Sequence, residues 1–312
     1  MTSIAPSLRW GAAGLIAVLA GAGWILAATA EKKLPADAKG TLVFVSDRDG
    51  VASLYLRRLP GAEERRLTQL DEAAGEPALS PGGNRVAFTV GGRVGLVDVA
   101  GGRVRFLTLG QEWKDSEPAW TPDGRALVVA ARRPGSALQD LHLLPITSDA
   151  EPERKPILET PHVDESQPAL SLDGKTVVFV REDNLYRLDL GARRAVRLTG
   201  GFRKVRSPRF LPSGRIVFLW TEAKEYGIDV VDPDGSHRET LQTGSVFYRT
   251  AVPSPDGRYL AATFTFDLGF RFWTALGFAH REELRLLDLR GTPVAELEGS
   301  WRHGNHTAAW AR

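Results

Sequence analysis

Residues 117–124 read EPAWTPDG, and variants of this segment recur four more times. The other copies are EPALSPGG at 76–83, QPALSLDG at 167–174, SPRFLPSG at 207–214 and AVPSPDG at 251–257. Pro-Asp-Gly and Pro-Ser-Gly are turn sequences, because proline fixes φ and glycine accepts a positive φ. One kind of turn therefore punctuates most of the chain.

The spacing of these segments gives the size of the repeat. The closing glycines, Gly83, Gly124, Gly174, Gly214 and Gly257, lie 41, 50, 40 and 43 residues apart. Each is followed by an apolar run such as RALVVA or KTVVFV, and then by a second run such as LYRLDL. Short β-branched runs between turns are strands. A period of about 40 to 50 residues with four strands per unit is typical of β-propeller blades.

The two ends of the sequence supply a sixth unit. Residues 41–68 contain three strand-like runs and lack a first strand, and residues 306–312 (HTAAWAR) resemble that missing first strand. The segment 41–312 then holds six units of about 45 residues each. We predict an all-β fold, a six-bladed β-propeller with four-stranded blades in which both termini close the last blade.

Composition excludes several classes of protein. The 312 residues are 43% hydrophobic and 25% charged, which is typical of a folded chain. The 40 basic and 38 acidic residues leave a net charge of +2, so nucleic acid is not an expected partner. Because the chain has no cysteine, disulfides, thiolate nucleophiles and cysteine metal sites are excluded.

The N-terminus predicts export. Residues 10–30 form an apolar stretch with one polar residue, Thr29, and Arg9 precedes it. Ala28 and Ala30 give a small-x-small end that favours a cleaved signal peptide. The stretch is also long enough for an uncleaved anchor, and a buried helix is the third alternative. We expect a leader at 1–30, a linker at 31–40 and a propeller at 41–312, located in the periplasm or anchored to the inner membrane and facing the periplasm.

Four phrases together resemble the TolB-type propeller repeat, a relative of the WD-repeat blade. They are EPAWTPDG, SDRDG, LYRLDL and RRLT, and the resemblance covers nearly all of 41–312. It implies a six-bladed propeller, export to the periplasm and service as a protein-binding platform, as in the Tol–Pal envelope system. Only ten residues separate Ala30 from Thr41. We therefore expect a TolB-like propeller without the α/β domain that precedes it in TolB.

The resemblance also implies a binding face. In propellers of this type the first strand of each blade lines the channel, and the segments that lead into these strands lie on one face. Three consecutive blades carry acids there, the next two carry arginines, and the last carries a histidine: Glu76, Asp115, Glu117 and Glu165, then Arg206 and Arg249, then His306. Such a mouth would orient a protein partner. The alternative is that these are ordinary solvated loop residues.

An apolar insert lies on the same predicted face. Residues 267–281 read DLGFRFWTALGFAHR and hold Phe270, Phe272, Trp273 and Phe278. Loops this apolar either fold back onto the protein or mark an interaction site. A packed extension, a contact with a partner or membrane, and a lid over a small ligand are the alternatives.

The sequence contains none of the usual short catalytic motifs. A metal shared by His303 and His306 with Glu76 or Asp115, or calcium bound at Asp47 and Asp49, is a weaker hypothesis, and we predict no cofactor and no metal. We expect a monomeric, non-enzymatic protein that binds an envelope or periplasmic protein. The alternative is a polysaccharide lyase or hydrolase with a site in the channel.

Overall fold

The computed structural model describes residues 34–61, 63–146, 151–201, 203–266, 281–299 and 305–311. Within these ranges the secondary structure consists of strands and turns, without helices. No helix capable of crossing a bilayer therefore occurs in the described part of the chain. The predicted leader at 1–30 lies outside the described residues.

The described residues form short strands throughout. In chain order they are β1 (Gly40–Ser46), β2 (Ser53–Leu59), β3 (Glu64–Arg66), β4 (Ala74–Leu79), β5 (Arg85–Val90), β6 (Arg93–Asp98), β7 (Arg105–Phe106), β8 (Lys114–Trp120), β9 (Ala126–Arg132), β10 (Gln139–Pro145), β11 (Lys155–Leu158) and β12 (Glu165–Leu170). They continue as β13 (Thr176–Arg181), β14 (Asn184–Asp189), β15 (Arg194–Arg197), β16 (Lys204–Phe210), β17 (Ile216–Glu222), β18 (Glu225–Val231), β19 (Glu239–Gly244), β20 (Phe247–Pro253), β21 (Tyr259–Phe266), β22 (Arg281–Asp288), β23 (Pro293–Gly299) and β24 (Asn305–Ala311).

These strands pair into six antiparallel sheets of four strands each, which we number as blades. Blades 1 to 5 are β4–β7, β8–β11, β12–β15, β16–β19 and β20–β23. Blade 6 has the order β24-β1-β2-β3, and in it Trp310 of β24 lies opposite Leu42 of β1. The prediction of an all-β propeller with six four-stranded blades is confirmed.

The first strands of the blades form the inner ring. Each contacts the first strand of the two neighbouring blades, in the circular order β4, β8, β12, β16, β20, β24. They surround a central channel. We call the face where these strands begin the upper face and the face where they end the lower face.

The repeated turn lies on the lower face, between the first and second strands. In blade 2, Gly124 N donates to Thr121 O at 2.9 Å, with Gly124 at a φ of 67°. Thr121 Oγ1 donates to Asp123 at 2.6 Å and accepts from Ala126 N at 3.0 Å. Because the hydroxyl, the carboxylate and the glycine each satisfy a local requirement, the sequence [ST]-P-D-G specifies this turn.

Three similar segments follow or overlap the outer strands of their blades, and they recur for a structural reason: RRLT at 65–68, RFLT at 105–108 and VRLT at 196–199. The hydroxyls of Thr68, Thr108 and Thr199 accept hydrogen bonds from Leu54 N, Val94 N and Leu185 N, each at 2.9 Å. Counted outward from the inner strand, each of these amides belongs to the third strand of its blade. The three strands are β2, β6 and β14. The threonine therefore supplies an acceptor where the short outer strand ends.

The hydrophobic core lies between the blades. Phe88 of blade 1 packs with Leu54 of blade 6, and Phe264 of blade 5 packs with Leu219 of blade 4. All four side chains are at most 2% exposed. Because each apolar cluster takes side chains from two sheets, burial of apolar surface stabilises the ring as a whole.

Replacing Trp310 tests whether apolar packing between neighbouring blades stabilises the ring. Its indole is 8% exposed, packs among apolar side chains of blades 5 and 6, and donates to Lys39 O at 3.1 Å. Trp310→Ala should lower the free energy of unfolding by about 3–5 kcal/mol and the Tm by roughly 10 °C, measured by calorimetry. Leu172→Ala is the control, because Leu172 is 69% exposed. Equal melting of Trp310→Ala and wild type would contradict the packing described here.

Candidate functional site

Four inner strands carry a β-bulge at the same position of the repeat. Glu76, Glu117, Gln167 and Ser207 have φ values of 50°, 54°, 56° and 50°. The pairing register with the second strand shifts at each of these positions. A positive φ is uncommon for residues other than glycine, so its recurrence marks a feature that the repeat maintains.

The bulge residues bind one another around the channel. Glu76 Oε2 accepts a hydrogen bond from Glu117 N at 2.7 Å. Glu117 Oε2 accepts from Gln167 N at 2.5 Å, and Gln167 Oε1 accepts from Ser207 N. The side chains of Glu76, Glu117 and Gln167 thus each hold the strained backbone of the next blade. We call these four residues the bulge chain.

Glu117 is the electrostatically unusual member of the bulge chain. Burial, reinforced by the negative charge of Glu76, raises the pKa of Glu117 to about 7. The hydrogen bond from Gln167 N and the charge of Arg209 act in the opposite direction. Glu117 can therefore exchange a proton near neutral pH, which suits a general acid or base.

Arg209 lies in the same channel, on β16. Burial lowers its pKa, and the charges of Glu117 and Glu76 oppose that effect. Its Nη1 donates to the carbonyl of Pro208 at 2.7 Å. Among the described residues no carboxylate lies within 4.0 Å of its guanidinium, so Arg209 and the two glutamates face each other without forming an ion pair.

Two predicted binding residues are buried inside their blades. Asp115 is 2% exposed and pairs with Arg154 Nη1 at 2.7 Å, while the Arg154 guanidinium lies 4.7 Å from the centre of the Trp113 ring. Glu165 is fully buried and pairs with Arg181 Nη2 at 2.5 Å. Both carboxylates are thus occupied by internal arginines, which corrects their expected placement at the open channel mouth.

The two predicted arginines lie together at the upper face. Arg206 lies 4.1 Å from the centre of the Phe247 ring and donates from Nη2 to Thr221 Oγ1 at 2.6 Å. Burial lowers the pKa of Arg206, and the charge of Arg249 adds to this effect. Arg249 is exposed. Since blades 4 and 5 lie across the ring from blades 1 and 2, the arginines lie on the opposite side of the ring from Glu76 and Glu117.

A cavity opens beside Arg206 at the upper face. It has a volume of about 510 Å³ and is lined by residues of blades 3, 4 and 5, including Asp164, Gln167, Lys204 and Tyr226. The Nε of Arg206 is buried and has no hydrogen-bond partner in the described part of the protein. The cavity thus has acidic and basic side chains in its lining, and one of the basic residues, Arg206, has an unsatisfied hydrogen-bond donor.

The remaining predicted residues are not placed. His306 lies in β24, but its side chain is outside the described residues. The insert residues Phe270, Phe272, Trp273 and Phe278 are also outside them. In the described ranges, no group of three or more His, Asp or Glu residues is arranged to hold a metal ion.

Sequence reasoning missed three channel residues, Gln167, Ser207 and Arg209. The signal for the first two was their position immediately before proline, which they share with Glu76 and Glu117. The signal for Arg209 was its departure from the repeat. Four other inner strands carry alanine at that position: Ala78, Ala119, Ala169 and Ala309.

The ring of six four-stranded blades around a central channel defines this chain as a β-propeller protein. No protein-family model matches the sequence. A curated protein named Protein TolB homolog, from Chlorobium luteolum (strain DSM 273 / BCRC 81028 / 2530), is 31% identical over 156 residues. The match covers 48% of this chain and 34% of the relative, so the chain spans about a third of that protein's length.

Two solved structures share the fold. The crystal structure of TolB from Acinetobacter baumannii superimposes with a TM-score of 0.71 at 17% identity, covering 94% of this chain and 71% of that one. An oligogalacturonate lyase in complex with manganese gives a TM-score of 0.58 at 17% identity, covering 87% and 78%. The sequence match and the shared fold confirm the resemblance to the TolB-type propeller repeat that the repeat phrases indicated.

The raised pKa of Glu117 makes stability depend on pH. An unfolded glutamate loses its proton near pH 4.5 and Glu117 near pH 7, so the native state binds more protons between these values and stability falls as pH rises through them. Glu117→Gln retains the acceptor for Gln167 N and cannot ionise. Between pH 5 and pH 8 wild type should lose about 5 °C more in Tm than this variant, measured by thermal unfolding.

The control for this pH series is Glu225→Gln, because Glu225 is exposed at a hairpin. This variant should follow the wild-type pH dependence. Parallel pH profiles for wild type and Glu117→Gln would show that Glu117 ionises normally in the folded protein.

Proposed function

We propose that this chain is a non-enzymatic protein of the cell envelope whose propeller binds a protein partner through the upper face. The observation that carries the proposal is the upper cavity, which brings Arg206 together with Asp164 and Lys204. The TolB resemblance, which implies a role as a protein-binding platform, supports a protein as the partner. We also propose that the protein is exported to the periplasm.

The charges at the mouth favour a partner with both signs of charge. Arg206 and Arg249 lie on one side, and Asp164 lies on the neighbouring blade. Complementary charges mainly set the orientation and rate of association. Because Asp115 and Glu165 are committed to internal ion pairs, the acidic contribution comes from Asp164, Glu76 and Glu117 instead.

Site-specific photo-crosslinking in cells tests the proposed face. Arg249→benzoylphenylalanine, at the upper face, should give an adduct with an envelope protein. The same amino acid at Arg125, which is exposed near the lower face, should not. Arg206→Ala in the first background should reduce the adduct about tenfold, since removing a charged hydrogen-bonding group costs ~1.5–3 kcal/mol. Adducts formed only from position 125 would refute the proposal.

The insert at 267–281 provides a second arm of the same experiment. We assign its aromatic side chains to the partner contact. Phe272→Ser combined with Trp273→Ser should then remove the adduct and leave the Tm unchanged. A lower Tm with an undiminished adduct would show that the insert packs on the propeller instead.

A channel-centred polysaccharide lyase is the second candidate, favoured by Glu117 with a pKa of about 7 opposite Arg209. Glu117 would take the proton from the carbon next to a uronate carboxylate as the bond between the adjacent carbon and the leaving oxygen breaks. Water would give that oxygen its proton, and a carbon–carbon double bond would remain in the product. Oligogalacturonate incubated with the protein should then give the ultraviolet absorbance of an unsaturated product, and Glu117→Gln should abolish it. Wild type without product formation rules out lyase activity on this substrate.

A further inference from the structure

The lower half of the channel is a separate cavity that the proposed partner contact does not use. Its volume is about 510 Å³, within the range of pockets for small ligands. Residues from all six inner strands or from the turns that follow them line it. It opens on the lower face, whereas the proposed partner contact lies on the upper face.

The wall of this cavity is mainly apolar. Its lining consists mainly of proline, alanine, leucine and aromatic side chains, with Trp120 and Trp310 on two blades. Both indole N–H groups are already bonded, to Ala78 O at 2.9 Å and to Lys39 O at 3.1 Å. Neither indole N–H is therefore available to bind a ligand.

The serine hydroxyls that reach the cavity are also occupied. Ser80 Oγ accepts from Arg85 N at 3.0 Å, and Ser171 Oγ and Ser254 Oγ donate to Asp173 and Asp256 at 2.6 Å and 2.5 Å. These bonds belong to the repeated turn. The three serine hydroxyls are therefore not free to form hydrogen bonds with a ligand at the rim of the cavity.

Arg209 is the one charged residue among the described residues that line the cavity. A guanidinium has five N–H donors, and in the described structure one bond, to Pro208 O, is formed. Glu76 and Glu117 influence Arg209 but do not line this cavity. The side of the guanidinium that faces the cavity thus has spare donors.

A ligand anion in the cavity would contact Arg209 directly, while Glu76 and Glu117 do not line the cavity and lie beyond ion-pair distance of the guanidinium. Because Coulomb energy falls with distance, the nearer cation dominates. The surrounding apolar wall matches a hydrocarbon or aromatic body. We propose that the lower cavity binds an apolar ligand with a single carboxylate, and that Arg209 holds the carboxylate.

Fluorescent probes test the class of ligand. Anilinonaphthalene sulfonate is an apolar monoanion, and N-phenyl-1-naphthylamine is its neutral analogue. Wild type should bind one molecule of the sulfonate per chain. Arg209→Ala, which installs the alanine found in four other blades, should weaken its binding at least tenfold, equivalent to about 1.4 kcal/mol. Binding of the neutral analogue should stay within about twofold.

Two further variants locate the probe and guard against misfolding. Arg209→Lys keeps the charge and should retain most of the affinity for the sulfonate. Ala119→Phe narrows the cavity from blade 2 and should weaken both probes. Equal sulfonate binding by wild type and a folded Arg209→Ala, or undiminished binding by a folded Ala119→Phe, would overturn the proposal.

Competition then distinguishes the sources of the carboxylate. Octanoate is compared with octanamide, and the peptide Ala-Pro-Phe with its C-terminal amide. Displacement of the sulfonate by either acid and not by its amide supports the assignment and identifies the source as a fatty acid or a peptide C-terminus. Displacement by amide and acid alike would overturn the role given to Arg209.

Discussion

The structure depends on hydrogen bonds between neighbouring blades at the bulge chain. Glu76, Glu117 and Gln167 each accept a backbone N–H of the next blade, at a residue whose φ is positive. A positive φ at a non-glycine residue costs free energy, and it recurs because the bond to the preceding blade offsets that cost. The bulge in turn aims the glutamate side chains into the channel. The strain in the backbone and the charge in the channel therefore have the same origin.

Arginine stabilises the blades in a second recurring way, remote from the bulge chain. In several blades one guanidinium packs on a ring and pairs with a carboxylate, as in Arg154 with Trp113 and Asp115, and Arg181 with Tyr186 and Glu165. Removing one partner of a buried pair leaves an uncompensated charge. These acids consequently contribute to the fold, and the electrostatic character of the channel comes from the residues that have no such partner at contact distance, above all Arg209 and Glu117.

The sequence predicts the blades well because turn chemistry is local. Ser-Pro-Asp-Gly specifies its turn through contacts within about six residues, and such contacts can be inferred from composition and spacing. The orientation of Asp115 and Glu165 is not local, since it depends on register with the second strand and on Arg154 and Arg181, which lie 39 and 16 residues away. The same holds for the bulge at Gln167, whose partner lies 50 residues earlier in Glu117. Motif and spacing thus predict the strands, whereas the direction of each polar side chain requires the packed ring.

One motif also explains why the two halves of the channel differ. In EPAWTPDG the residue before the first proline is the bulge residue and faces the upper half, and the residues from that proline onward line the lower half. Repetition of the motif around the ring therefore stacks a polar layer above an apolar layer. SPRFLPSG breaks the pattern at one residue, because Arg209 carries a charge into the layer where the other blades place small or apolar side chains. A single substitution within a repeat is thus sufficient to give a symmetric channel a chemically distinct side.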